Sequence, residues 1–139
     1  MPTDAEDLRA IVRAWIEEGW RRGDPGVVDR LHAPDFTDHD PGGRTPDNAG
    51  FKEGIARLFA AFPDLAAEAQ DLVVDTAAGT VAVRWSAAGT HLGAYLGAAP
   101  TGRTVRFKGI EIVRIRGGRI TERWGEWDGI DLLAQLGRL

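Results

Sequence analysis

The stretch Thr104-Val-Arg-Phe-Lys-Gly-Ile-Glu-Ile-Val-Arg-Ile115 is followed, after Arg116-Gly-Gly, by Arg119-Ile-Thr-Glu-Arg-Trp-Gly-Glu-Trp127. Apolar and polar side chains alternate along both segments with the period of two that is typical of β-strands. Gly117-Gly118 lies between them and favours a tight hairpin turn, because both central residues of such a turn need a positive φ. The two segments therefore predict a long antiparallel hairpin.

Two shorter strands are predicted upstream of this hairpin. Leu72–Thr76 precedes the turn Ala77-Ala78-Gly79, and Val81–Ser86 then alternates between apolar and polar positions. A connection rich in Gly and Pro, Gly89–Gly102, leads from there to the hairpin. The second half of the chain therefore predicts a meander of four strands.

The first half of the chain shows a helical period instead. Thr3-Asp-Ala-Glu6 matches a capping box, which satisfies the first free amides of a helix. The spacing i, i+3, i+4 then defines one large apolar face, made of Leu8, Ile11, Val12, Trp15, Ile16 and Trp20. Gly23-Asp-Pro-Gly26 predicts the end of this helix.

Three further helices and one loop are predicted from pattern and breakers. They are a short helix at Val27–Leu31, a surface loop at Asp35–Asn48, an amphipathic helix from Phe51 to Phe62 that ends at Pro63, and a last helix at Ile130–Leu136 before Gly137. Because helices come first and strands follow, we expect a single segregated α+β domain over residues 1–139. A curved antiparallel sheet packed on the N-terminal helices would enclose a pocket between the two layers.

Composition excludes several functional classes. The net charge is −4 and no basic stripe is present, so nucleic-acid binding is not expected. The chain has no cysteine, which excludes disulfides, thiolate metal sites and a cysteine nucleophile. No apolar run approaches the roughly 20 residues of a membrane span, and no signal peptide is recognisable. We therefore expect a cytoplasmic protein with no membrane association.

An ordered set of short motifs carries a family resemblance. In chain order they are Ala61-Phe-Pro-Asp-Leu65, Val83-Arg-Trp85, Gly89-Thr-His-Leu-Gly93, Pro100-Thr-Gly102, Gly109-Ile-Glu-Ile112, Gly118-Arg-Ile120 with Glu122 and Trp124, and Asp128 with Gln135-Leu-Gly137. Together they resemble the SnoaL-like polyketide cyclases, a family within the cone-shaped NTF2-like α+β fold.

The resemblance implies an activity and one catalytic residue. Members of the family include cyclases that close a ring of an aromatic polyketide ester by intramolecular aldol condensation, without cofactor or metal. The family's catalytic aspartate stands at the end of the last long strand, which corresponds to Asp128 in this sequence. The resemblance also implies a hydrophobic small-molecule substrate and a homodimer formed through the sheet.

Asp128 has two interpretations. As a general acid/base it would remove a proton from a carbon between two carbonyls, and Trp124 and Trp127 would desolvate it and move its pKa toward neutrality. As a residue directly before Gly129-Ile-Asp-Leu-Leu133, it is equally a good helix N-cap.

His91 and Glu111 are further candidates. His91, in the Gly-Thr-His turn, is predicted either to donate to a developing oxyanion or to pack within its loop. By strict alternation Glu111 shares the apolar face of Phe107, unless a bulge at Gly109 reverses the parity. A buried carboxylate at that position needs a partner or a chemical role.

The remaining predictions concern pocket lining and the surface. We expect Phe107, Trp124, Tyr95 and His39 to contact the substrate, with Tyr95 at the entrance and His39 at the rim. His39 lies within Asp38-His-Asp-Pro41, which lacks metal-ligand spacing, so we expect no metal site.

Parity groups four residues at the end of the chain's last strand. Glu122, Trp124, Glu126 and Asp128 share one face, where the acids are predicted either to support Asp128 or to form surface ion pairs with Arg84, Arg114 or Arg123. His32 is predicted to be a surface residue.

The sequence leaves two alternatives to the cyclase open. A hydrolase or hydroxylase relative would use the same fold, and a hydrolase would need Glu111 or Glu126 close to Asp128. A non-catalytic ligand-binding or dimerisation module would fill its pocket with its own aromatic residues, or use Asp128 only as a helix cap.

Overall fold

A computed structural model describes residues 4–139 of the protein. The helical elements are α1 (Ala5–Trp15), a π-helical segment (Ile16–Arg21), α2 (Val27–Leu31), α3 (Asn48–Ala61) and α4 (Gly129–Gln135). The strands are β1 (His32–Asp38), β2 (Ala66–Asp75), β3 (Thr80–Thr90), β4 (Thr104–Arg116) and β5 (Arg119–Trp127).

One five-stranded sheet has the order β1-β5-β4-β3-β2. The predicted antiparallel meander is confirmed for β2 to β5, and Gly117 and Gly118 both take the positive φ that the hairpin requires. β1 is not predicted by the sequence, and its residues from Asp35 to Asp38 fall in the predicted loop, so that prediction is wrong for this part. β1 is an edge strand that contains Pro34 and pairs in parallel with β5, so only a partner distant in sequence defines it.

β2 begins earlier than predicted, at Ala66. The segment Ala66-Ala-Glu-Ala69 has no β-branched residue and therefore little intrinsic strand preference. It is a strand because it pairs with the end of β3, which itself extends to Thr90. Tertiary pairing decides the local structure here.

The first helix begins at a cap one residue after the predicted one. The side chain of Asp4 accepts a hydrogen bond from the backbone N–H of Asp7 at 2.9 Å. The predicted capping residue, Thr3, lies outside the described residues. The predicted apolar face of α1 is confirmed, since Leu8, Val12 and Trp15 are buried.

The helices pack on the inner face of the curved sheet, as predicted. The core between the layers includes Trp15, Phe51, Ile55, Val83 and Val113. This is the NTF2-like cone that the resemblance implied. No helix among residues 4–139 is long and apolar enough to cross a membrane.

The surface prediction for His32 is wrong. Its side chain is 2% exposed, because β1 carries it beneath α1. Trp15 Nε1 donates to His32 Nε2 at 2.9 Å, and His32 Nδ1 lies 3.1 Å from Asn48 Oδ1. Burial lowers the pKa of His32 from 6.5 to about 4, so the ring is neutral at pH 7.

Candidate active site

A cavity of about 510 Å³ lies between the inner face of the sheet and the helices. This volume is within the range of about 300–1,000 Å³ that is typical of small-molecule sites. Most of its wall is apolar or aromatic, and its charged residues are Arg44, Arg57, Glu111 and Arg123. The combination suits a hydrophobic ligand with a few polar groups.

Aromatic side chains form much of the wall. Trp20 is carried by the π-helical segment, Trp85 and Phe107 by β3 and β4, and Tyr95 by the loop after β3. Trp15, in contrast, belongs to the core. Burial raises the pKa of the Tyr95 hydroxyl, which therefore stays protonated at neutral pH.

Glu111 is the acidic residue that lines this cavity among the described residues. It is 5% exposed and faces inward with Phe107, as strict alternation predicted, since the register of β4 is regular at Gly109. Arg123 Nε donates to Glu111 Oε1 at 2.5 Å. The other oxygen, Oε2, accepts no hydrogen bond from the described residues, although it is not sealed inside the protein.

Arg123 pairs with a second carboxylate, that of Asp38, in addition to Glu111. Its Nη1 donates to Asp38 Oδ1 at 2.9 Å and to the backbone oxygen of Asp40 at 3.1 Å. Burial acts to lower the pKa of Arg123, but the charges of Glu111 and Asp38 outweigh this effect and raise it. The guanidinium is therefore a permanent positive charge at the polar end of the cavity.

Asp38, at the end of β1, joins Arg123 to a second arginine. Its carboxylate is fully buried and also lies 3.4 Å from Arg44 Nη2. Both guanidinium groups lie over the ring of Phe51, at 5.8 Å for Arg123 and 5.9 Å for Arg44. Acidic and basic side chains thus alternate in a row of ion pairs, Glu111–Arg123–Asp38–Arg44, that runs from the sheet to the loop before α3.

Gly125 leaves the room that the Arg123 guanidinium occupies. A Cβ built on Gly125 would lie 2.3 Å from Arg123 Nη2 and 2.7 Å from its Cζ. Gly125 follows Arg123 by two residues on the same face of β5, so the arginine folds back over it. Only a residue without a side chain leaves this path to Glu111 open.

The structure places Asp128 outside the cavity. Its Oδ1 accepts a hydrogen bond from the backbone N–H of Asp131 at 3.0 Å, and its partly exposed carboxylate borders a shallow outer groove. The prediction that this carboxylate faces the cavity is therefore wrong. The helix-cap alternative describes the observed geometry, because the chain leaves β5 and starts α4 at this residue.

His91 is fully buried and does not line the cavity. Its Nδ1 accepts from the backbone N–H of Thr101 at 3.2 Å and lies 3.0 Å from Thr101 Oγ1. The interpretation as loop packing describes this geometry better than the one as oxyanion donor, since the imidazole ties together the two ends of the loop between β3 and β4.

His39 and Trp124 lie on the outer face of the sheet, so the prediction that they line the cavity is wrong. Their rings stack at 4.6 Å, and His39 Nε2 lies 2.9 Å from Glu122 Oε2. Arg114 donates to the other oxygen of Glu122 at 2.7 Å, which is one of the predicted surface ion pairs. Among residues 4–139 no cluster of three or more His, Asp or Glu is arranged to hold a metal ion.

Tyr95 and Phe107 do line the cavity together with Glu111, whereas Arg123, Asp38, Arg44 and Gly125 were missed in the sequence. One signal was available for Arg123. The alternation that places Trp124 on one face of β5 places Arg123 and Gly125 on the other, toward the core.

A match to the family described as SnoaL-like polyketide cyclase covers residues 10–136. The chain belongs to the SnoaL-like polyketide cyclase family. A search of curated proteins returned no match. The family description, polyketide cyclase, agrees with a cavity of small-molecule size.

Three of the solved structures similar to this SnoaL-like chain come from species of Streptomyces. IdmH of Streptomyces antibioticus, named as a candidate polyketide cyclase, is 33% identical, with a TM-score of 0.80 over 94% of this chain and 98% of its own. TsrD of Streptomyces laurentii is 25% identical, with a TM-score of 0.89 over 99% of each chain. AclR of Streptomyces galilaeus, named as a candidate hydroxylase, is 25% identical, with a TM-score of 0.86 over 98% of this chain and 88% of its own.

Proposed function

We propose that this chain closes a ring of an aromatic polyketide ester by intramolecular aldol condensation, and that Glu111 is its general acid/base. The observation that carries the proposal is the state of the Glu111 carboxylate. One oxygen is held by Arg123, and the other has no hydrogen-bond partner among the described residues, at the wall of a mostly apolar cavity.

The reaction needs only proton transfers and one new carbon–carbon bond. Glu111 Oε2 takes a proton from the carbon between two carbonyls, and the electron pair of the broken C–H bond delocalises as an enolate. The enolate carbon attacks another carbonyl group elsewhere in the same substrate molecule, and the π electrons of that group move onto its oxygen. Protonated Glu111 then returns the proton to this alkoxide, so that substrate and product are isomers.

Arg123 and Tyr95 support these steps. Arg123 holds Glu111 Oε1 with two nitrogens, which positions the carboxylate and leaves Oε2 to accept a proton. The protonated hydroxyl of Tyr95 is available to donate to the carbonyl that becomes the alkoxide. Tyr95 takes the role that the sequence suggested for His91.

Asp128, the acid implied by the family resemblance, competes for the catalytic role. Turnover of anthraquinone-type polyketide methyl esters, followed by chiral chromatography, separates the two assignments. We expect Glu111→Gln to lower turnover by about 10²- to 10⁴-fold, the usual contribution of a general acid/base. The matched variant Asp128→Asn keeps a helix-capping oxygen and should retain turnover within about twofold.

Two results would contradict the proposal. Normal turnover in Glu111→Gln together with loss in Asp128→Asn would return the role to Asp128. Lack of turnover by the native chain across a panel of such esters would remove the cyclase assignment itself.

The geometry gives less support to the other functions. A hydrolase needs two acids around a bound water, but Glu111 is the one acid at the cavity wall among the described residues, and Glu126 and Asp128 border the outer groove. Of the two signs predicted for a non-catalytic module, a pocket filled by its own aromatic residues does not match the cavity of about 510 Å³, whereas a helix-capping Asp128 does match the structure. Turnover by the native chain separates this module from the cyclase.

A further inference from the structure

Leu96 has an unusual backbone conformation. Its φ is +50°, and it is the one non-glycine residue with a positive φ among residues 4–139. It occupies the first central position of a tight turn in which Tyr95 and Ala98 exchange two backbone hydrogen bonds, of 3.0 and 2.8 Å. Gly97, at the second central position, has a φ of +75°.

Such a turn favours Asn, Asp or Gly at both central positions, because a Cβ is crowded when φ is positive. A leucine is therefore an unfavourable choice for the turn itself. Burial in the core does not compensate for it either, since Leu96 is 41% exposed. Strain of this kind occurs preferentially where a side chain serves binding.

Leu96 lies at the wall of the cavity. With Ala94 and Tyr95 it forms the part of the cavity wall that the loop after β3 provides. Leu92, in the same loop, is also exposed but does not line the cavity. The turn thus presents one apolar side chain to the cavity and to solvent at the same time.

We propose that Leu96 is a specificity-determining residue that packs on the apolar ring system of the substrate and becomes buried when the substrate binds. This inference rests on the proposed function and deepens it, because it assigns a flat apolar face of the substrate to the loop side of the cavity. The polar end of the substrate then points toward Glu111.

The probe for the test is methyl anthraquinone-2-carboxylate, whose binding is followed by quenching of tryptophan fluorescence. Trp20, Trp85 and Trp127 line the cavity and report occupancy without turnover. Leu96→Asn should weaken probe binding about tenfold, because a large apolar contact is lost. The same variant should raise the melting temperature by about 2 °C, since asparagine accepts a positive φ more readily.

Two further variants serve as controls. Leu96→Met keeps an apolar side chain and should bind the probe within about threefold of the native chain, without the gain in stability. Leu92→Asn makes the same chemical change outside the cavity and should leave probe binding unchanged.

Native affinity in Leu96→Asn would overturn the inference, as would a lower melting temperature, which would mean that Leu96 is an ordinary core contact. Failure of the native chain to bind the probe would also overturn it. Normal probe binding combined with absence of polyketide ester turnover would overturn the proposed function alone.

Discussion

Arg123 contacts a single oxygen of Glu111 with two of its nitrogens, Nε and Nη2, each at 2.5 Å. Because both contacts fall on Oε1, the second oxygen of the carboxylate is left for the cavity. The side chains of Arg123 and Glu111 are 12% and 6% exposed, so the ion pair is largely shielded from bulk water. Removal of one member of such a buried pair strands the other charge and is strongly destabilising.

The first prediction concerns Gly125. A methyl group at this position would collide with the Arg123 guanidinium, which Asp38 and Glu111 hold in place. Gly125→Ala should therefore lower the free energy of unfolding by about 2 kcal/mol, measured by urea denaturation. Without the collision, the same substitution would stabilise the protein by about 0.4–1 kcal/mol, because alanine restricts the unfolded chain more than glycine does. The sign of the change in unfolding free energy therefore shows whether the collision occurs.

A double-mutant cycle isolates the cause. In an Arg123→Ala background the guanidinium is absent, and Gly125→Ala should become neutral or stabilising. An equal loss of stability in both backgrounds would mean that the methyl group collides with something else.

The second prediction concerns Asp128 as a helix cap. Asp128→Ala should lower the free energy of unfolding by about 1 kcal/mol, whereas Asp128→Asn should have little effect, because asparagine also caps helices. Thermal and urea unfolding of both variants measure the difference. Equal stability of the two variants would show that the hydrogen bond to Asp131 contributes nothing to α4.

The third prediction concerns stability in acid. His32 has a pKa of about 4 in the folded chain, below its ordinary value of 6.5, because burial disfavours the charged ring. The group contributes its full stability above pH 6.5. As the pH falls from 6.5 toward 4, the unfolded chain takes up a proton that the folded chain does not. The free energy of unfolding should fall by about 3 kcal/mol over this window from His32 alone.

Urea denaturation at pH 7.5, 5.5 and 4.5 measures this slope. His32→Gln should be less stable at pH 7.5 but should lose less stability on acidification. An unchanged slope in His32→Gln would assign the acid sensitivity to other groups.

The fourth prediction concerns a homodimer through the sheet. The strand register aligns Val73, Ala82, Ile112 and Trp124 in one row across four strands on the outer face. Val73 and Ile112 are exposed, and Ala82 and Trp124 are half-buried. Adjoining apolar side chains that remain accessible are typical of an interaction surface. We expect light scattering after gel filtration to give twice the mass of one chain.

Ile112→Asp should convert the dimer to a monomer, because a charge in an apolar interface lacks a partner. Ile130→Asp is a suitable control, since Ile130 is an even more exposed isoleucine on α4, away from this row. A monomeric native chain, or dissociation by both variants alike, would contradict a sheet-mediated dimer.

The sequence was sufficient for the elements with strong local signals. The hairpin of β4 and β5 follows from alternation and from Gly117-Gly118, and α1 from its apolar face. β1 had no such signal, because its partner is the last strand and its own segment contains a proline. Local patterns indicate what a segment prefers, whereas edge strands depend on distant partners.

The site was predicted in part for the same reason. Parity placed Glu111 on the inner face, and the structure agrees. The family resemblance, not parity, implied a catalytic Asp128; parity groups Asp128 with Trp124 and Glu126 on the outer face, and the structure places it beside Glu126 at the outer groove. Asp38 was not recognised because β1 was assigned to a loop, and its pairing with Arg123 joins opposite ends of the sequence.

The parallel pairing of β1 with β5 has a consequence for the order of folding. Asp38 leaves the ribosome long before Arg123, and closing so long a stretch of chain is entropically slow. Until the last strand has been synthesised, Asp38 has no access to this guanidinium, and Glu111 lacks the group that orients it. Competence to bind and to catalyse should therefore arise late, in the same step that adds the final strand to the sheet.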